Sequence, residues 1–256
     1  VFIRIGDTFA ASMRSVNTLI VGAGVTGTAI AHALAPDHDV LVVDAGQVAG
    51  GTTSRASGLI STPASYPEYP EMGEYAVEFF RTLDGSRTFT YTERPKLNLL
   101  GTAADAGEYE SLVDDLPATI YTADEVAERY DGKVDLSAFY GAVDYLGTGT
   151  IDAIDYTRTL KMEAEQEGAR FLTDTRVEKI TTQDGEVTGV ETEYGPIEAE
   201  TVVSAVGNQT RALCTGHVEV PVRPVRWEAV ELRPSENVDV ESYPMGSDPT
   251  IESYWR

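Results

Sequence analysis

The segment Val21-Gly22-Ala23-Gly24-Val25-Thr26-Gly27 sits between two patterns that give it meaning. Before it, residues 17–21 (NTLIV) form a short apolar run. After it, residues 25–35 are rich in alanine, and residues 40–43 (VLVV) form a second apolar run that ends at Asp44. The order predicts buried strand, helix, buried strand, which is a βαβ unit with parallel strands and a right-handed crossover. In that setting G-x-G-x-x-G is a dinucleotide fingerprint, although the same letters elsewhere are weak evidence. Gly22 permits the tight turn, Gly24 lets the backbone approach a pyrophosphate, and Gly27 lets helix and strand pack closely. Ala23, Val25 and Thr26 complete the turn, whose free N–H groups and partial positive charge suit phosphates. Asp44, followed by Ala45, is placed to accept hydrogen bonds from the adenosine ribose. The plainer alternative is a glycine-rich turn with no ligand.

FAD and NAD both use this device, and three features favour FAD. Residues 46–63 (GQVAGGTTSRASGLISTP) form a Gly/Ser/Thr-rich loop with a helical turn where a regular helix–strand repeat would otherwise follow. The opening unit is separated by about a hundred residues from the sheet that completes it. Finally, residues 202–207 read as a second strand running into a glycine turn at Gly207. The expected fold is α/β. It has a Rossmann-like FAD-binding βαβ domain of the FAD/NAD(P)-binding, glutathione-reductase-like type, and an α+β substrate domain on a mixed or antiparallel sheet.

Further along, helices are predicted at 75–83, 104–112, 122–130 and 152–166. Thr122 and Glu125 are spaced as a capping box, and Gly168 ends the last of these helices. Strands are predicted at 97–100, 171–180, 187–192, 197–206 and 221–232, with a final strand at 253–256. Asp184-Gly185 is a hairpin turn. These elements place a discontinuous FAD-binding domain at 13–90 and 149–221, an incomplete substrate domain at 91–148 and 222–256, and an N-terminal extension at 1–12. Met13 reads as the natural start. The closing residues read as a strand that stops midway, so the chain is expected to be a fragment that is catalytically incomplete alone.

Forty-two acidic residues face nineteen basic ones, for a formal net charge of -23. Lysine is confined to Lys96, Lys133, Lys161 and Lys179. The acids are dispersed, as in salt-adapted archaeal proteins, and the alternative is an ordinary acidic cytosolic enzyme. Either way nucleic acid and anionic membranes are disfavoured as partners. No run of 18 apolar residues occurs, so no membrane span is expected. The single cysteine, Cys214, excludes an internal disulfide framework and fits a reducing cytoplasm. His32, His38 and His217 lack metal-ligand spacing, so no metal is expected. Self-association is left open.

The block Gly50-Gly51-Thr52-Thr53-Ser54-Arg55-Ala56-Ser57-Gly58-Leu59-Ile60 resembles the loop after the second strand in the glycine oxidase/D-amino-acid oxidase family. A His in the dimethylglycine and sarcosine dehydrogenase form of that loop carries a covalent flavin. Arg55 stands there in this chain, so the resemblance implies non-covalent FAD. Gly149-Thr150-Ile151-Asp152, Ser204-Ala205-Val206-Gly207 and Pro221-Val222-Arg223-Pro224-Val225-Arg226 are similar to further family motifs. Trp227-Glu228 departs from the Gly-Gln that usually follows. The resemblance implies that Thr52, Thr53, Ser54 and Arg55 lie along the cofactor. It also implies that Ser57, Gly58 and Leu59 approach the flavin ring and that Val177 meets the adenine. The implied reaction oxidises the C–N bond of a small amine or amino acid by hydride transfer to flavin N5. Tyr254 falls in a strand that often carries a substrate-contacting Tyr, and Arg226 and Arg256 are the late-chain candidates for clamping a carboxylate. For those two arginines a surface role is the plainer reading. The alternatives are an FAD-fold assembly or non-catalytic protein, and an NAD(P)-dependent dehydrogenase.

Overall fold

The computed structural model describes residues 15–60, 69–113, 118–226, 228, 230 and 239–256. The expected N-terminal extension, Met13 and the end of the Gly/Ser/Thr loop lie outside the described residues. The chain divides into two compact units, one of Val1–Ala56 with Ala153–Glu228, the other of Ser57–Asp152 with Ala229–Arg256. Residues 57–90, expected with the cofactor-binding part, group with the second unit.

The first unit opens with β1 (Ser15–Val21), α1 (Val25–Leu34), β2 (Val40–Val43) and a 3-10 turn at Thr52–Arg55. The second unit then supplies β3 (Leu59–Ile60), α2 (Pro70–Leu83), β4 (Tyr91–Glu93), β5 (Lys96–Leu100), α3 (Ala103–Val113) and β6 (Ala118–Thr122). It continues with α4 (Ala123–Arg129), β7 (Gly141–Tyr145) and β8 (Gly149–Ile151). The chain returns to the first unit for α5 (Ala153–Gln166), β9 (Arg170–Leu172), β10 (Val177–Gln183), β11 (Glu186–Thr192), β12 (Gly195–Ser204) and α6 (Thr210–Leu213). β13 (Met245–Asp248) and β14 (Ser253–Trp255) belong to the second unit.

The first unit is built on a six-stranded sheet in the order β10-β11-β12-β1-β2-β9. β12, β1, β2 and β9 run parallel, as the βαβ pattern predicts. Continuous apolar runs suit central parallel strands because both faces are covered. On one face Leu19, Val21, Leu41 and Val43 pack with Val190 and Ile197. On the other, Ile20, Val40 and Val42 meet Ala31 of α1 and Ala164 of α5. Small alanines there let both helices lie close to the sheet. β10, β11 and β12 form an antiparallel meander. Its first turn has positive φ at both Asp184 and Gly185, which is what an Asp-Gly hairpin turn supplies.

Two expected strands are corrected. Residues 171–180 are not one strand but two, β9 and β10, on opposite edges of the sheet. The break lies at Asp174, which has positive φ. There Asp174 N donates to Gly46 O at 3.1 Å and Thr175 N donates to Asp44 O at 2.9 Å, so long-range partners outweigh local β propensity. Within the expected strand 221–232, residues 221–226 form no strand. Pro221 and Pro224 have no N–H to give to a ladder. Much of the remainder lies outside the described residues.

In the second unit a five-stranded sheet runs β14-β13-β5-β7-β6, beside an antiparallel sheet β3-β8-β4. β13 pairs parallel to β5 and the other contacts are antiparallel, so the larger sheet is mixed. The capping box before α4 forms: Thr122 N donates to Glu125 Oε2 at 2.8 Å, and Glu125 N to Thr122 Oγ1 at 3.4 Å. No described helix is long and apolar enough to cross a membrane.

Candidate functional site

The glycine fingerprint shapes the carboxyl end of the first unit's sheet. Gly22 has φ +109°, and a Cβ on it would lie 2.5 Å from Ala205 O. A Cβ on Gly27 would lie 1.9 Å from Gly22 O. Neither position has room for a side chain, so α1 begins directly against the ends of β1 and β12. Val25 N donates to Thr53 Oγ1 at 3.0 Å, which ties the Thr52–Arg55 turn to the start of α1. The next amides, of Thr26 and Gly27, have no partner within the helix. No acidic residue occupies the first turn of α1, although acids outnumber bases more than twofold in the chain.

Asp44 leaves the end of β2 and is held from two sides. Its Oδ2 accepts from Ala23 N and its Oδ1 from Gly46 N, both at 2.7 Å. An ionised carboxylate has about four acceptor sites, so these bonds orient Asp44 and leave capacity for hydroxyls of a ligand.

These groups border a cavity of about 360 Å³ in the first unit. Of the sequence-derived candidates, Gly22, Gly24, Val25, Thr26, Asp44, Ala45, Thr52, Thr53, Val177 and Gly207 line it. Ala23 and Gly27 support it from behind through the contacts just given. Ser54 and Arg55 sit in the 3-10 turn with exposed side chains, Ser54 Oγ donating to Gly51 O at 2.9 Å. Ser57, Gly58, Leu59 and Tyr254 belong to the second unit. There Gly58 O accepts from Ile151 N at 2.9 Å, and Tyr254 lies on the edge strand β14. Arg226 is exposed and faces Glu228 at 3.6 Å.

Sequence reasoning missed Thr175, Arg176 and Glu178 beside Val177, and Asn208 and Gln209 after Gly207, all of which line the cavity. The break between β9 and β10 brings the first three to Asp44. Reading 171–180 as one unbroken strand hid it. The usable signal was Thr173-Asp174-Thr175, since Asp and Thr favour side-chain-bonded turns.

A buried titratable group lies outside this cavity. Asp144 on β7 is 2% exposed, with Arg129 Nε at 3.2 Å and the Tyr130 hydroxyl at 3.4 Å from its Oδ2. Its Oδ1 has no hydrogen-bond partner. Burial pushes its carboxyl above the usual range, and the Arg129 charge pulls the other way. Among the described residues no group of His, Cys, Asp and Glu could hold a metal ion.

The family model described as FAD dependent oxidoreductase (DAO) matches residues 17–254. The chain belongs to this family, and its cofactor is FAD. The cavity's features fit such a group: a glycine-lined turn, helix N–H groups with no acid in the helix's own first turn, and an oriented carboxylate next to Ala45. Among curated relatives, the chain is 26% identical over 221 residues to 4-methylaminobutanoate oxidase (formaldehyde-forming) of Paenarthrobacter nicotinovorans, covering 81% of this chain and 26% of that protein. It is 25% identical over 199 residues to the mitochondrial pyruvate dehydrogenase phosphatase regulatory subunit of Mus musculus, covering 74% of this chain and 22% of that protein. The chain thus spans about a quarter of the length of these relatives. In fold it is similar to L-proline dehydrogenase from P. horikoshii, with a TM-score of 0.81 at 19% identity over 94% of this chain and 66% of that one.

Proposed function

We propose that this chain carries the cofactor-holding part, and a portion of the substrate domain, of a flavoenzyme that oxidises a C–N bond in an amino acid or small amine. The observation that carries the reading is the cavity in which the fingerprint turn, Asp44 and the Thr52–Thr53 turn converge, in a chain of the FAD-dependent family. FAD, when bound, supplies a hydride acceptor at flavin N5. In this reading Thr26 presents its N–H to the diphosphate, while Val25, whose N–H is held by Thr53 Oγ1, fixes the turn beside it. Asp44, oriented by Ala23 and Gly46, accepts from the ribose hydroxyls next to Ala45. Val177 flanks the adenine, and Gly207 turns the chain away at the mouth.

Attachment is non-covalent in this proposal, because Arg55 cannot form the link that a His can. The dispersed acids and scarce lysines favour a salt-adapted source, and the single cysteine a cytoplasmic setting. A second reading, an FAD-fold regulatory or assembly protein without amine oxidation, draws support from the regulatory subunit among the relatives. Acid precipitation should leave yellow flavin in the supernatant, and colour kept in the pellet would refute non-covalent binding. Anaerobic addition of glycine, sarcosine, proline or 4-methylaminobutanoate should bleach the flavin of the holoprotein. A reducible flavin that none of a broad amine panel bleaches would favour the second reading.

A further inference from the structure

The cavity has a charge problem that its fingerprint does not solve. It is lined by two carboxylates, Asp44 and Glu178, in a chain of formal net charge -23. The ligand read for it carries a doubly negative diphosphate. Among the described residues Arg176 is the only basic side chain that lines the cavity. It makes no ion pair among the described residues, so its charge is not neutralised by a direct partner.

Its backbone is fixed. Arg176 N donates to Glu193 Oε1 at 3.0 Å, and Arg176 O accepts from Glu193 N at 3.3 Å. The next amide upstream, Thr175 N, donates to Asp44 O at 2.9 Å. The loop is therefore pinned beside Asp44, with a long flexible cation at the cavity wall. Glu178 follows two residues later and lines the same cavity.

We propose that Arg176 is a specificity-determining residue for this site, the counter-charge that lets a dinucleotide diphosphate enter a cavity bordered by Asp44 and Glu178. This rests on the reading of the cavity as the FAD site. The contribution is that of a point charge and not of a planar guanidinium, because an exposed side chain interacts mainly through screened Coulomb forces. It acts on phosphate-bearing ligands generally and is indifferent to the uncharged isoalloxazine.

The test titrates the apoprotein at one fixed salt concentration with FAD, ADP and riboflavin, by flavin fluorescence and calorimetry. Arg176→Gln should weaken FAD and ADP about tenfold, as removal of a nearby charge at intermediate dielectric implies. Arg176→Lys should bind both within about threefold of the parent, since it keeps the charge. Adding Glu178→Gln to Arg176→Gln should recover most of the lost affinity, and riboflavin should respond to none of the changes. Both positions are exposed, and circular dichroism verifies that each variant is folded. Arg176→Gln binding FAD as tightly as the parent would overturn the proposal and leave the cofactor reading standing. So would Arg176→Lys binding as weakly as Arg176→Gln, or a double variant no better than Arg176→Gln. A folded parent that binds neither FAD nor ADP would overturn the cofactor reading, and this proposal with it.

Discussion

Replacing Gly27 by Ala sets a local preference against a tertiary one. Gly27 lies inside α1, and its φ is outside the left-handed region. In an isolated helix the change would stabilise by about 1 kcal/mol. Here the new Cβ would lie 1.9 Å from Gly22 O and 3.0 Å from Gly22 C. That is roughly 1.5 Å short of ordinary van der Waals contact, and the obstacle is backbone, which no rotamer change can move aside. Overpacking of this kind costs about 1–3 kcal/mol or more, so the helix gain is outweighed and the expected net loss is about 2 kcal/mol. The relief must come from sliding α1 away from the β1 turn, which moves the N–H groups that face the cavity. ADP affinity should therefore fall along with stability. Gly107 is the control: it lies within α3, is exposed, and a Cβ there meets nothing within 4 Å. Gly107→Ala should stabilise by about 0.5–1 kcal/mol. Urea unfolding at fixed salt measures both, with isothermal titration of ADP for the ligand. If Gly27→Ala unfolds at or above the parent midpoint and binds ADP normally, the argument from close helix–strand approach is wrong.

Other expectations are more direct. Asp44→Ala leaves the Ala23 and Gly46 amides without their acceptor, and each such loss in a partly buried site costs about 1 kcal/mol, so both the urea midpoint and ADP affinity should drop. Asp144 works in the opposite sense. Its folded-state carboxyl is pushed up by burial, so ionisation opposes folding, and the stability associated with the neutral form is lost as pH rises through the folded value. Asp144→Asn should therefore unfold at higher urea than the parent at pH 7, with the difference closing as pH falls below the ordinary carboxylate range; a lower midpoint at pH 7 would show that the Arg129 contact outweighs burial. A formal charge of -23 implies self-repulsion that salt screens, so the thermal midpoint should climb by many degrees between 0.1 and about 2 M KCl, and a midpoint indifferent to salt contradicts the salt-adapted reading.

Which parts of this molecule its sequence determines follows from the range of the forces involved. β1, α1 and β2 were legible because an apolar run, a glycine turn and a second apolar run are local patterns with few alternative solutions. The Thr122–Glu125 capping box and the Asp184-Gly185 turn are local as well, and both form as their residues dictate. Glycines 22 and 27 could be given roles in advance because only close backbone approach explains them at that spacing. The strands β3, β4, β6, β7, β8 and β13 escaped notice. β7 is buried throughout, yet its sequence GAVDY includes an acid whose partner Arg129 comes from α4, and nothing local announces that pairing. Segment 221–226 erred the other way: its alternating valines suggested a strand, but a ladder needs a neighbour and donors, and its prolines remove two. Residues 171–180 were divided by hydrogen bonds to Gly46 and Asp44, more than a hundred positions earlier in the chain. That break, which only tertiary contacts could make, sends β10 to the far edge of the sheet and sets Thr175, Arg176 and Glu178 beside Asp44. The sequence thus determined that a dinucleotide cradle would form, since its turn and helix are short-range. The tertiary structure alone decided which charges surround that cradle, because they arrive through pairings whose energy exists only when the sheet is complete.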